Sequence, residues 1–199
     1  MDWPATARGS LTPAPGGLAF VQDLLNTIAA GKPRMPDLLD RPDDAQEWLD
    51  AALACWSRAT GRPHAPVPLD NHDVEELRAL RADLQHVIRA GIPLPEEPAS
   101  SGPALLTAPA TMRLGPDGRA HTDPEGTGCG RVASVILIEM YVAQHTDLWR
   151  RLKSCRNDRC AVAFYDRSRN NSGVWHDVRV CGNAANLRAS RARRKPPTT

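Results

Sequence analysis

Three stretches in the first ninety residues repeat apolar side chains at intervals of three and four. In residues 18–30 the positions are Phe20, Val21, Leu24, Leu25 and Ile28, which predicts a helix ended by Gly31 and Pro33. Pro42-Asp43-Asp44 opens a second helix, with acids where the helix N-terminus favours negative charge. Its buried face is Trp48, Leu49, Ala52, Leu53 and Trp56, and it stops near Gly61. A third helix carries Val74, Leu77, Leu80, Leu84, Val87 and Ile88 on one stripe, is capped by Asn71 or Asp73, and ends before Gly91-Ile92-Pro93. Farther on, ATMRLGPDGRAHT sets two short alternating segments about the turn signal GPDG, the pattern of a small β-hairpin. From Val132 a longer helix runs through VASVILIEMYVAQHTDLWRRL, apolar early and basic at its end, with Glu139 on its rim. Residues 1–17, rich in Pro, Gly and Ala, read as a flexible arm.

These elements make the first three quarters of the chain a mainly α domain with one small hairpin. Composition agrees with that picture. Apolar residues are 41% of 199 and charged residues 24%, the balance of a globular chain, while aromatics at 5% leave the core to Leu, Ala, Val and Ile. No run approaches the ~18 apolar residues of a membrane span. The N-terminus lacks a basic segment followed by an apolar one, so a cytoplasmic location is expected.

Charge divides the chain. Residues 1–149 hold 12 Lys and Arg against 20 Asp and Glu, a balance of −8, whereas residues 150–199 hold 13 against 3, a balance of +10. An asymmetry of this size marks the last fifty residues as the part that meets a polyanion.

The same fifty residues carry three of the five cysteines. Cys155 and Cys160 are separated by four residues. Fifteen more lead to His176, and four more to Cys181. Two close pairs across a spacer of this length are the layout of a structural zinc site, since each pair supplies half of a tetrahedron. Thiolate and neutral imidazole both suit the borderline softness of zinc. A fallback set keeps the three cysteines and takes Asp177 or His145 as fourth ligand. Four full ligands leave no open position, so the metal stabilises rather than catalyses. In the spacer, AVAFYDRS predicts a strand with Val162, Phe164 and Asp166 on one face, RNNSG a turn, and GVWHDVRV a returning strand. Gly182-Asn183 then allows a sharp turn, with Asn183 capping a final helix over AANLRASRARRK. Knuckle, hairpin and helix together predict a treble-clef-like finger, with Trp175 packed over the metal.

On these residues residues 151–195 resemble the CGNR zinc finger. The features that match are Cys155 and Cys160, Phe164, Asp166, Ser168-Arg169-Asn170, Trp175-His176 and Cys181-Gly182-Asn183-Ala184. Residues 18–150, through FVQDLLNT and EELRALR, resemble the ABATE domain that precedes such fingers; residues 196–199 are a tail. The resemblance implies a stress-linked bacterial transcription regulator whose finger binds DNA. Two departures stand out: His176 occupies a position where the family has cysteine, and Ala184 replaces the arginine of the name motif. Arg188, Arg191 and Lys195 fall at i, i+3 and i+7 of the final helix with Arg194 beside them, and can replace that arginine. Arg167, Arg169 and Arg179 are placed to clamp flanking phosphates.

The reading is therefore a zinc-finger DNA-binding regulator with a helical signal-receiving domain, whose effector is a small molecule or a protein, and which is a candidate homodimer. Two alternatives stay open: a zinc-stabilised protein-interaction module without a nucleic-acid role, and an RNA binder. No nucleophile–base set suggests an enzyme, and Cys129, in GTGCGR, reads as a residue of a loop before a helix.

Overall fold

The computed structural model describes residues 2–30, 34–90, 106–157 and 159–187. Its elements are α1 (Pro4–Arg8), α2 (Leu18–Leu25), α3 (Pro42–Thr60), α4 (Asn71–Ala90), β1 (Ala110–Leu114), β2 (Ala120–Pro124), α5 (Gly128–His145), β3 (Leu152–Ser154) and β4 (Ala163–Tyr165). The chain is mainly α with two small antiparallel hairpins, β1–β2 and β3–β4. Among the described residues no helix is long and apolar enough to cross a membrane.

Short as it is, α2 organises the body, because all eight of its residues are buried. It touches α1, α3, α4, α5 and β4. Phe20, Val21, Leu24 and Leu25 fill the core with Trp48, Leu49 and Trp56 from α3, Leu77 from α4, and Val132 and Ile136 from α5. A helix enclosed on every side also buries its polar side chains, and each must then find a partner. Asp23 accepts from the backbone N–H groups of Ala5 and Thr6 and from the Trp48 indole, at 2.7–3.3 Å. Gln22 accepts from Ala14 N at 2.6 Å. Burial pushes the Asp23 carboxyl above its ordinary value, and these donors oppose the shift.

Those bonds overturn the flexible-arm reading of residues 1–17. The segment is pinned: Asp23 caps α1, and Trp3 lies in the core edge-on to Phe20. The helix α2 also stops at Leu25, three residues before the last position of the apolar pattern, where the Asn26 side chain turns to Ala163 and the Thr27 carbonyl accepts from Leu38 N.

The predicted hairpin forms as β1–β2, with Leu114 opposite Ala120. α3 and α4 span the predicted ranges, but the cap of α4 is Asp70. Asp70 Oδ1 accepts from Asp73 N while Asp73 Oδ2 accepts from Asp70 N, a reciprocal capping box. Asp73 also accepts from Cys129 N and so anchors the start of α5.

α5 begins four residues before Val132 and ends at His145, short of the predicted run to Leu152. Asp147 has φ 59, and a separate 3₁₀ turn, Trp149–Arg151, carries the basic residues. Glu139 is not at a rim: it is buried and accepts from Trp56 Nε1 at 3.0 Å, with the Arg62 guanidinium at 3.4 Å.

Candidate metal centre

The cysteine pair lies in the turn of a hairpin rather than before one. β3 pairs with β4 in the register Leu152↔Tyr165, Lys153↔Phe164 and Ser154↔Ala163. Cys155 N then donates to Val162 O at 2.8 Å, and Cys160 N to Asn157 O at 2.7 Å, closing a knuckle about the two sulfurs. Ala161, at φ 58, reverses the chain into β4. The two faces of β4 have different neighbours. Val162, Phe164 and Asp166 are buried on the side expected from the sequence, while Ala163 belongs to the core of the helical body.

Residues 173–180 were expected to return as a strand, and they do not. Among the described residues one backbone bond, Arg156 N to Val174 O at 2.9 Å, ties the extended stretch 173–177 to the knuckle. The Asp166 carboxylate takes the place of a ladder. Its oxygens accept from Gly173 N at 2.6 Å, Ser168 N at 2.8 Å and Lys153 Nζ at 2.7 Å. Gly173 allows that approach, since a Cβ there would sit 2.9 Å from the carboxylate. Burial pushes the Asp166 carboxyl up, but the Lys153 ammonium and the N–H donors outweigh it and hold the group well below the usual carboxylate range.

The last ligand lies in a helical turn that opens at Val178, and the sharp turn expected after it at Gly182-Asn183 does not form. Val178–Gly182 is a π-turn whose cap is Asp177, accepting from Val180 N at 2.9 Å. Asn183 has helical dihedrals and continues the spiral into residues 183–187, so it is not the cap. Trp175 leans on Gly182, with ring carbon Cδ1 3.2 Å from where a Cβ would be, and so packs beside Cys181 as expected.

These three pieces bring Cys155, Cys160, His176 and Cys181 together, with one ligand atom from each within 4.8 Å of all the others. His176 turns Nδ1 toward the cluster, 3.3 Å from Cys160 Sγ. His145 bonds Tyr141 O instead, and Asp177 is spent on its cap, so neither fallback ligand is needed. The cluster fits zinc on its own chemistry. Tetrahedral coordination at about 2.3 Å to sulfur and 2.0–2.1 Å to nitrogen requires donors about 3.5–4 Å apart. Without a cation the sulfurs compete for protons: the hydrogen bond between Cys160 and Cys155 draws the Cys155 thiol well below its ordinary value and pushes Cys160 up. Asn157 Nδ2 donates to Cys181 Sγ at 3.2 Å, an outer-shell contact that orients the ligand.

Comparison with known families agrees with this division of the chain. Residues 18–145 match the ABATE model, described as "Putative stress-induced transcription regulator". This chain belongs to the ABATE family. Residues 151–194 match the CGNR zinc finger. No curated protein matches the chain. In this ABATE protein the CGNR finger takes one structural zinc, and Cys155, Cys160, His176 and Cys181 are the described residues that lie close enough together to hold it. Both matched families are of regulator and zinc-finger type.

Of the arginines expected to face nucleic acid, Arg167, Arg169 and Arg179 are exposed. Arg167 donates to Pro13 O at 3.2 Å and is thus partly engaged with the body. Arg188, Arg191, Arg194 and Lys195 lie outside the described residues. The sequence reading missed Arg156 and Arg159, two exposed cations inside the knuckle itself. Their position between paired cysteines was the available signal. It also missed Asn157 and Lys153, whose roles depend on partners 13–24 residues away.

Proposed function

We propose that this protein is a DNA-binding transcription regulator whose zinc finger grips the phosphate backbone. The observation that carries the reading is a regulator-family body joined to a zinc finger with uncommitted cations. Among the described residues, Arg156, Arg159, Arg169 and Arg179 are exposed and take part in no ion pair. The finger's other described cations have partners: Lys153 pairs with Asp166, Arg151 donates to the carbonyls of Asp166 and Ser168, and Arg167 donates to Pro13 O. Cations left free on a metal-stiffened scaffold suit phosphate contact, because little side-chain and backbone entropy remains to be lost on binding. Arg188, Arg191, Arg194 and Lys195 extend the same charge along the chain.

The helical body is the signal-receiving half in this reading. Its link to the finger is direct. The Asn26 side chain both accepts from Ala163 N and donates to Ala163 O, at 2.9 Å each, so a shift of α2 reaches the strand that carries the knuckle.

The test is fluorescence anisotropy of the zinc-loaded full chain with duplex DNA across a salt series. Each neutralised phosphate contributes roughly −0.9 to the slope of log affinity against log salt. Four to six contacts therefore give a slope of roughly −4 to −5, and R169A or R179A each reduces its magnitude by about 1. Salt-insensitive binding, or tighter binding to single-stranded RNA in competition, sinks the reading. So does capture of an acidic protein that nuclease does not disturb.

A further inference from the structure

A cleft of about 680 Å³ opens onto the metal centre between the body and the finger. Its walls include Arg8 and Leu11 on one side and Val162 and Val180 on the other, and Cys160, His176 and Cys181 lie at its base. Cys155 does not line it and instead faces a second cleft beside Lys153 and Val174. The three sulfurs are thus unequal in access. Cys155 and Cys181 are buried, whereas Cys160 is only half-buried and meets the larger cleft.

They also differ in their hydrogen bonds. Cys181 accepts from the Asn157 amide, and Cys155 from the backbone N–H groups of Asn157 and His176; Cys160 has the N–H of Val162 and lies 3.3 Å from His176 Nδ1. Donation to a thiolate withdraws electron density and slows its attack on electrophiles. The sulfur with the least burial and the widest access is therefore the one that reacts first.

We infer that Cys160 is a site of reversible oxidation by a small peroxide entering through this cleft, and that its oxidation ejects the metal. In the first step the Cys160 thiolate attacks one peroxide oxygen, the O–O bond breaks, and hydroxide leaves, giving a sulfenic acid. In the second a neighbouring thiolate attacks the Cys160 sulfur, the S–O bond breaks, and a second hydroxide leaves. The buffer supplies two protons that convert both hydroxides to water, so two thiolates lose two electrons and one peroxide gains them. Displacement at sulfur runs in line, with the attacking thiolate opposite the leaving oxygen. The oxygen points into the cleft from which it came. Cys155, which lines the other cleft and lies within ligand distance of Cys160, is the attacking group, and the product is a Cys155–Cys160 disulfide. Two ligands are lost at once, and His176 and Cys181 alone do not retain a structural zinc.

The remaining two cysteines serve as an internal control. Cys55 and Cys129 are buried away from the cleft. Burial, reinforced by Glu76 and Asp73, pushes the Cys129 thiol up to about 12, and burial also raises Cys55. Neither offers an appreciable thiolate at neutral pH.

This chemistry stands on the metal centre alone; only its consequence, release of DNA, rests on the function proposed above. The experiment treats the zinc-loaded full chain with hydrogen peroxide. It follows zinc with a chromophoric chelator and maps the cysteines by mass spectrometry. One zinc per chain is expected to leave in step with a Cys155–Cys160 disulfide, with Cys55 and Cys129 still free, and a dithiol reductant with added zinc is expected to restore the centre. Val180→Trp, which narrows the cleft and replaces no ligand, is expected to load zinc normally and release it several-fold more slowly. Cys160→His, which keeps four donors, is expected to retain its zinc under peroxide. Zinc loss preceded by oxidation of Cys55 or Cys129, a disulfide that excludes Cys160, or unchanged release in Val180→Trp overturns the proposal. A chain that passes these tests but never bound DNA refutes only the function proposed above.

Discussion

At the scale of single residues, the metal centre depends on side chains that do not touch the metal. Asn157 supports three ligands: its side chain donates to Cys181, its carbonyl accepts from Cys160 N, and its N–H reaches Cys155. Loss of an outer-shell partner typically costs about 10–100-fold in metal affinity. Asn157→Ala is therefore expected to lower zinc affinity by that factor, read by competition with a calibrated chelator. His176→Ala removes a ligand and is expected to weaken the centre further, while His176→Cys retains it, because zinc accepts either donor.

Asp166 acts through folding instead. Its carboxyl lies below the usual range in the folded chain, so its contribution is fully present above the unfolded value of about 3.9 and is lost as pH falls through the folded value. Asp166→Asn is expected to destabilise the finger by about 2–3 kcal/mol at neutral pH, leaving Lys153 part-buried without its partner. The gap between variant and parent is expected to narrow below about pH 4, as measured by denaturant unfolding at a series of pH values. The four ligands were legible in the sequence because their spacing is a property of the chain itself. The partners of Asn157 and Asp166 were not, because an asparagine or an aspartate reveals its partner only once the chain has folded back.

Elements show the same contrast between local and distant causes. α3 was legible end to end, and α4 in all but its cap: their apolar stripes, Pro42 and Gly61 are local signals. The hairpin β1–β2 was legible from GPDG. The hairpin of the finger was displaced in the sequence reading, since β3 is three residues long and too short to display alternation. It exists because β4 pairs with it and the body supports both. Residues 1–17 were misread for a related reason. Proline and glycine content suggested a free arm, but Asp23, 17 and 18 residues away, satisfies the first N–H groups of α1. Asp23→Ala is expected to cost about 2–4 kcal/mol, because it strands two buried N–H groups and the Trp48 indole. It should also expose the bonds around Leu11 to limited proteolysis that the parent chain resists. If the cleavage pattern does not change, the latch assigned to Asp23 is wrong.

For the molecule as a whole, the body and the finger differ in what holds them together. The body has a core of its own, built on α2 and enclosed by α3, α4 and α5. The finger has two three-residue strands, a helical turn and a zinc ion. Metal binding in small fingers supplies on the order of 10 kcal/mol of folding free energy. Chelation is therefore expected to unfold residues 151–187 while leaving most of the helical circular dichroism in place. Hydrogen exchange should show protection lost in β4 and kept in α3 and α4. Simultaneous collapse of both halves would mean that the body relies on the finger for its stability.

The two bonds between Asn26 and the main chain of Ala163 have a mechanical consequence. They hold one strand by its peptide groups rather than by a side chain, so they fix both its position and its roll. A finger mounted this way has little swivel. In the function proposed above, a message from the body would therefore reach it as a tilt of the whole mount.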